Sequence, residues 1–147
     1  MRRNVIRPEL ADARGQGLHN IGSAAELTGV SAKMIRHYES IGLIPPANRT
    51  FANYRLYSES DLHRLRFIKR ARSLGFSIRQ IEALLGLWND PHRASAEVKK
   101  LARAHAAELE QKVREMQAMQ RTLEDLARHC HGDHRPDCPI LDDLAGS

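Results

Sequence analysis

The chain's two cysteines, Cys130 and Cys138, lie in a segment that reads His129-Cys130-His131-Gly132-Asp133-His134-Arg135-Pro136-Asp137-Cys138-Pro139-Ile140-Leu141. Gly132 and Pro136 let the chain between the thiols fold back into a compact loop. Pro139 suits the first position of a helix. That predicts a last short helix holding Ile140, Leu141 and Leu144, with Cys138 at its N-cap, where the positive helix end favours an anionic sulfur. Two thiolates are few for zinc, which takes four ligands. They suit a soft monovalent ion such as Cu(I), which two sulfurs can satisfy. His129, His131 and His134 keep a second reading open, a nitrogen–sulfur tetrahedron for a divalent ion. A disulfide or two idle thiols is the bland alternative.

The element that must position this loop precedes it. From Val98 the positions Val98, Ala102, His105, Leu109, Lys112, Met116, Met119, Leu123 and Leu126 alternate steps of four and three. Seven of these nine are apolar, the seam of a coiled coil over four heptads. Ser95 is the expected N-cap. A helix over 96–128 would run roughly 50 Å, and no other segment is long enough to cover it. A second copy must do so, which predicts a homodimer.

The front of the chain has a different pattern. Ile21, Ala24, Ala25 and Leu27 are expected on one helical face, and Thr28-Gly29 stops that helix. Ser31 caps a second helix in which Met34 and Ile35 face the core while Lys33, Arg36 and His37 face out. Two short helices joined by a Gly-containing turn read as a helix-turn-helix, and a basic second helix suits a major groove. Gly42-Leu43-Ile44-Pro45-Pro46 breaks the chain. Arg49 to Tyr57 then reads as a hairpin with alternating Tyr and Arg, a wing able to grip phosphate. Ser58, assisted by Asp61, caps a helix with a basic side of Arg64, Arg66, Lys69, Arg70 and Arg72, closed by Gly75. Ser77 caps another that turns Ile78, Ile81, Leu84 and Leu85 inward.

Charge divides the same way. Residues 1–93 hold 15 Lys and Arg against 8 Asp and Glu, a balance of +7, while residues 94–147 hold 8 against 10, a balance of −2; together these make the overall +5. The first part can meet a polyanion and the second would not. Palindromic DNA requires two-fold symmetry, which agrees with the homodimer. No run of 18 apolar residues exists, so no membrane partner is expected. No apolar leader follows Met1-Arg2-Arg3, and with so few cysteines the expected location is cytoplasmic. No nucleophile–base pair, phosphate loop or paired carboxylates at a cleft can be made out, so an enzyme is not expected. The expected organisation is a mainly α chain: a flexible extension over 1–18, a winged helix-turn-helix over 19–92, a dimerisation helix over 93–128, and a metal-binding loop with a short helix over 129–147.

These residues resemble the MerR family of metal-responsive transcription activators, and within it the copper(I) sensors of the CueR/HmrR type. The matching stretches run from Asn20-Ile21-Gly22 and Thr28-Gly29-Val30-Ser31-Ala32-Lys33-Met34-Ile35-Arg36-His37-Tyr38-Glu39 through Gly42-Leu43-Ile44, Tyr54-Arg55-Leu56-Tyr57 and Phe76-Ser77-Ile78-Arg79-Gln80-Ile81. They continue through Asn89-Asp90-Pro91 and Ser95-Ala96-Glu97-Val98-Lys99 to Asp137-Cys138-Pro139-Ile140. The resemblance implies an antiparallel coiled-coil dimer. It places Lys33 and Arg36 on the recognition helix, and Tyr38, Arg49, Tyr54 and Arg55 at the DNA backbone. It implies that Cys130 and Cys138 bind one Cu(I) per site, with Ag(I) and Au(I) as further ligands, and that Ser95 of the partner subunit lies over the site. Mercury and zinc readers of the family carry Cys at that position, so serine removes a thiolate and favours a monovalent ion.

The mechanism implied by the resemblance is allosteric. Apo and metal forms both bind double-stranded promoter DNA whose −35 and −10 elements are poorly phased, and the metal form distorts the spacer so that RNA polymerase reads both. Copper efflux and detoxification genes are the implied targets. The chain departs from the family at Ala52-Asn53, where the wing turn usually has Asn-Gly, in its His-rich loop and in its long N-terminus. The rivals are a Zn(II)/Cd(II) activator on the same fold, and a metal buffer that binds no DNA.

Overall fold

The computed structural model describes residues 17–49, 54–134 and 136–146. In chain order the elements are β1 His19–Asn20, α1 Ile21–Thr28, α2 Ala32–Ser40, β2 Asn48–Arg49, β3 Arg55–Tyr57, α3 Glu59–Ser73, α4 Ile78–Trp88, α5 Ser95–His129 and α6 Pro139–Leu144. This is the mainly helical architecture expected. It divides into two compact units, the first ending at Arg93 and the second beginning at Ala94. The wing turn Ala52-Asn53 and residues 1–16 of the N-terminal extension lie outside the described residues.

In the first unit the helix starts follow from side-chain caps. Asn20 accepts the Ser23 N–H at 2.8 Å, and Ser31 accepts the Met34 N–H at 3.2 Å. Ser58 with Asp61 and Ser77 with Gln80 form reciprocal capping boxes, each satisfying two amide donors that a helix start leaves unpaired. At the end of α2, Gly42 takes φ 80°, and the Leu43 N–H closes back on the Tyr38 carbonyl at 2.9 Å. A side chain would oppose that left-handed turn.

The sheet has three short antiparallel strands in the order β1-β3-β2. His19 pairs with Tyr57 and Asn48 with Leu56. Ile35 of α2, Tyr57 of β3, Leu62, Leu65 and Ile68 of α3, and Ile81 of α4 are fully buried around one centre. On α1 the buried stripe is Ala24 and Thr28, with Ile21 and Ala25 packed beside it. Leu27, expected on that face, is instead 49% exposed. The steps 21, 24, 25 and 28 trace one helical stripe, and residue 27 falls off it.

In the second unit α5 has 35 residues, roughly 52 Å at the helical rise. Ser95 is its first helical residue rather than its N-cap. Ala94 is the cap and makes no side-chain hydrogen bond. Ion pairs such as Arg114–Glu110 at 2.7 Å follow the exposed side. On the seam, His105 is buried, while Met116, Met119 and Leu123 are 67, 59 and 57% exposed. No helix among the described residues is long and apolar enough to cross a membrane.

Candidate nucleic-acid interface and cysteine loop

The two faces of α2 are sorted by burial. Ile35 and Tyr38 enter the core, Met34 is half-buried, and Lys33, Arg36 and His37 are exposed. A short helix with one anchored face presents its cations with little freedom to swing, as a helix read into a groove needs. Of the residues expected at the DNA backbone, Tyr54 is 56% exposed, Arg49 and Arg55 are half-buried, and Tyr38 is only 5% exposed. Tyr38 is thus chiefly a core ring, tilted against His37 with centroids 6.0 Å apart.

One carboxylate ties this helix to the hairpin. Glu39, near the end of α2, accepts the Ala47 N–H at 3.2 Å on Oε1 and the Tyr57 hydroxyl at 2.9 Å on Oε2. The Arg55 guanidinium lies 3.4 Å from the same Oε2. Burial first, then the hydrogen bond to Glu39 and its negative charge, hold the Tyr57 phenol far above its ordinary value. The phenol therefore stays a donor. Sequence reasoning gave Glu39 no role, because its partners lie 8 to 18 positions away. The alternation of Tyr and Arg beside it was the available signal. At the other side of the sheet, His19 Nε2 lies 2.7 Å from Glu59 Oε1.

The cysteines sit at two helix ends in the second unit. Cys130 follows the last residue of α5, and its N–H donates to the Ala127 carbonyl at 3.2 Å. Cys138 is the N-cap of α6 with Pro139 at the helix start, and its carbonyl accepts the Asp142 N–H at 3.0 Å. Both thiols are free and half-buried. Helices α5 and α6 pack together; Met119, Leu123 and Leu126 with Leu144 line an open apolar groove of about 460 Å³ between them. Of the loop histidines, His129 pairs through Nδ1 with the Asp125 carbonyl of its own helix at 2.6 Å. His131 and His134 are exposed. Among the described residues, no group of three or more His, Cys, Asp or Glu is gathered as a metal cage. Ser95 stands at the far end of α5 from the loop.

A capped helix-turn-helix with an exposed basic second helix, a hairpin beside it and a long helix with an apolar seam define a DNA-binding regulator. The comparisons agree. Residues 20–87 match the model of the MerR HTH family regulatory proteins, and residues 62–126 match the model described as MerR, DNA binding. The HTH-type transcriptional regulator HmrR of Sinorhizobium medicae is 60% identical over 126 residues, covering 86% of each chain. The regulator CueR of Escherichia coli O6:H1 is 41% identical over 127 residues, covering 86% of this chain and 94% of that one. Among solved structures, the transcription regulator PbrR691 of Ralstonia metallidurans in complex with lead(II) superposes with a TM-score of 0.75 at 36% identity, covering 86% of this chain and 98% of that one. The chain belongs to the MerR family of helix-turn-helix transcription regulators. It is a regulator of transcription and not an enzyme.

Proposed function

We propose that the protein is a Cu(I)-responsive activator, with Ag(I) and Au(I) as further inducers, that works as a cytoplasmic homodimer on promoter DNA. The observation that carries the metal reading is the donor set: two free, half-buried thiols, one at the end of α5 and one at the start of α6, two helices that pack together, with no group of three or more His, Cys, Asp or Glu gathered among the described residues. Two sulfurs complete the needs of a soft monovalent ion, whereas a divalent ion would lose waters that the loop does not replace. Two thiolates and one monovalent ion leave a single negative charge, and the N-terminal end of α6 offsets part of it. When bound, the ion supplies a positive centre that holds two thiolates together. Cys130 and Cys138 then fix the start of α6 relative to the end of α5. Ser95 of the partner subunit lies over the site and offers a hydroxyl in place of a thiolate.

In this reading Lys33 and Arg36 enter the major groove. Tyr38, Arg49, Tyr54 and Arg55 hold the sugar–phosphate backbone, Tyr38 through the small part of its ring that stays accessible. The apolar seam of α5 pairs with a second copy. Ordering of the cysteine loop changes which DNA shape the dimer binds best, and RNA polymerase then reads a spacer it otherwise reads poorly.

The test is an anaerobic titration of the dimer with Cu(I) and with Zn(II), scored by stoichiometry and X-ray absorption. The expected result is one Cu(I) per site between two sulfur scatterers, with induction abolished and DNA binding kept in Cys130→Ser or Cys138→Ser. Nitrogen scatterers from His129, His131 or His134, or equal induction by zinc, would overturn the choice of metal. The second reading, a divalent-ion activator, is favoured by the lead(II) complex of PbrR691. Ser95→Cys is expected to move the response toward it.

A further inference from the structure

A basic groove in the first unit has no role in the reading above. Arg66, Lys69, Arg70 and Ser73 stand at i, i+3, i+4 and i+7 of α3, one stripe of the helix. With Thr28, the last residue of α1, they line an open groove of about 240 Å³. Its hydroxyls are already committed. Thr28 Oγ1 donates to the Ala24 carbonyl at 2.7 Å and accepts the Val30 N–H at 3.2 Å, and Ser73 Oγ donates to the Arg70 carbonyl at 2.6 Å. Arg66 is partly engaged, reaching the Leu27 carbonyl at 3.4 Å and feeling the charge of Glu59. Lys69 and Arg70 form no ion pair with a carboxylate among the described residues. Three cations that converge on one groove repel one another until an anion enters.

The groove's place in the fold says which anion. Gly29 takes φ 73°, and a Cβ at that position would collide with Lys69 Nζ. The ammonium therefore rests against the turn that feeds the chain into α2, two residues before its N-cap, Ser31. In a helix-turn-helix the start of the second helix enters the major groove while the first helix crosses the backbone. The groove thus flanks the path of the phosphates. We propose that it takes a phosphodiester of the bound DNA, held by Lys69 and Arg70 with Arg66 behind them, outside the contacts assigned to α2 and the hairpin. The inference rests on the DNA-binding reading of the first unit and is independent of the metal.

Lys69 has a competing role. α1 has no basic residue in its last turn, and an ammonium near its carbonyl end is favourable in itself. The two cations are therefore tested separately. Binding of the full-length dimer is measured against salt, on an operator selected from random duplexes and on an unrelated duplex, for wild type, Lys69→Gln, Arg70→Gln and the double variant. Thermal melting of each is followed alongside. A lost phosphate contact makes the slope of log K against log salt shallower by about 0.9. The double variant is expected to lose at least that much, equally on both duplexes, with the melting of Arg70→Gln unchanged. A wild-type slope in the double variant would overturn the proposal. A loss confined to the selected operator would also overturn it, since a phosphate carries no sequence. Lys69→Gln that melts early but keeps its slope would assign Lys69 to the helix end and remove it from the groove. Unchanged DNA binding with lost activation by polymerase would point to a protein partner instead, against the proposal. A wild type that binds neither duplex would overturn the DNA-binding reading itself, an outcome distinct from all of these.

Discussion

In the first unit Ile35, Leu62, Leu65, Ile68 and Ile81 keep no exposed surface, whereas along α5 Met116, Met119 and Leu123 keep more than half of theirs. Both sets are apolar and both recur at helical spacing. The difference lies in what each helix can reach within its own chain. α3 is met by α1, α4 and β3, so its stripe is covered on folding. α5 outruns every other helix among the described residues, and α6, with six residues, packs along its later turns. Apolar area left in water forgoes about 25 cal/mol per Å². Such a seam makes association with a second copy the way to recover that energy. The first unit covers its apolar stripe from within, and the seam of the second stays open to the second copy proposed above.

The largest test attacks assembly. Met116→Asp together with Leu123→Asp places charges on the seam and is expected to give monomers in sedimentation at micromolar concentration. A wild type that is itself a folded monomer there would remove the contrast between the units. Next in size is the core of the first unit. Leu65→Ala is expected to cost about 2–5 kcal/mol in denaturant unfolding of that unit, as buried Leu truncations do. Leu123→Ala in the dissociated chain should cost far less, since the side chain already meets water. Equal costs at the two sites would mean that the seam is covered within the chain. Third, Arg36→Ala is expected to weaken promoter binding by about 1–3 kcal/mol while Cu(I) binding persists. Unchanged affinity would dismiss α2 as the reading helix.

What could be read ahead of the structure was local. Ser31, Ser58 and Ser77 announce helix starts because each meets an amide three positions on, within a single window of sequence. The α5 seam is legible for the same reason, repeated over several turns. Boundaries and faces without such a marker went astray: the cap at Ser95 moved by one residue to Ala94, and Leu27 turned to solvent. The remote contacts left no trace. β1 is two residues long and exists only because His19 and Asn20 pair with Tyr57 and Leu56. Glu39 becomes a junction only when β3 is brought to it. In the cysteine loop the spacing of the thiols was visible. The engagement of His129 with its own helix was not, since it depends on where α5 ends.

The smallest effect concerns the edge of the first unit, where β1 meets the start of α3. Glu59 is exposed, and its carboxyl is held below the ordinary carboxylate range, first by its hydrogen bond with His19. Desolvation opposes this in second place, and the charges of His19, Arg66 and His63 then add to the lowering. A carboxyl with a lower value in the folded chain binds fewer protons there than in the unfolded chain. Its contribution is therefore present above the unfolded value and is lost as pH falls through the lower, folded one. Solvent screens a pair so exposed, and the gain in stability is small. The expected outcome is read on the group itself. In a carboxyl-carbon NMR titration Glu59 should titrate below the ordinary glutamate value, and His19→Ala should return it most of the way. Equal titration in wild type and variant would show that His19 does not hold Glu59. β1 would then be kept in the sheet by its backbone pairing with β3 alone.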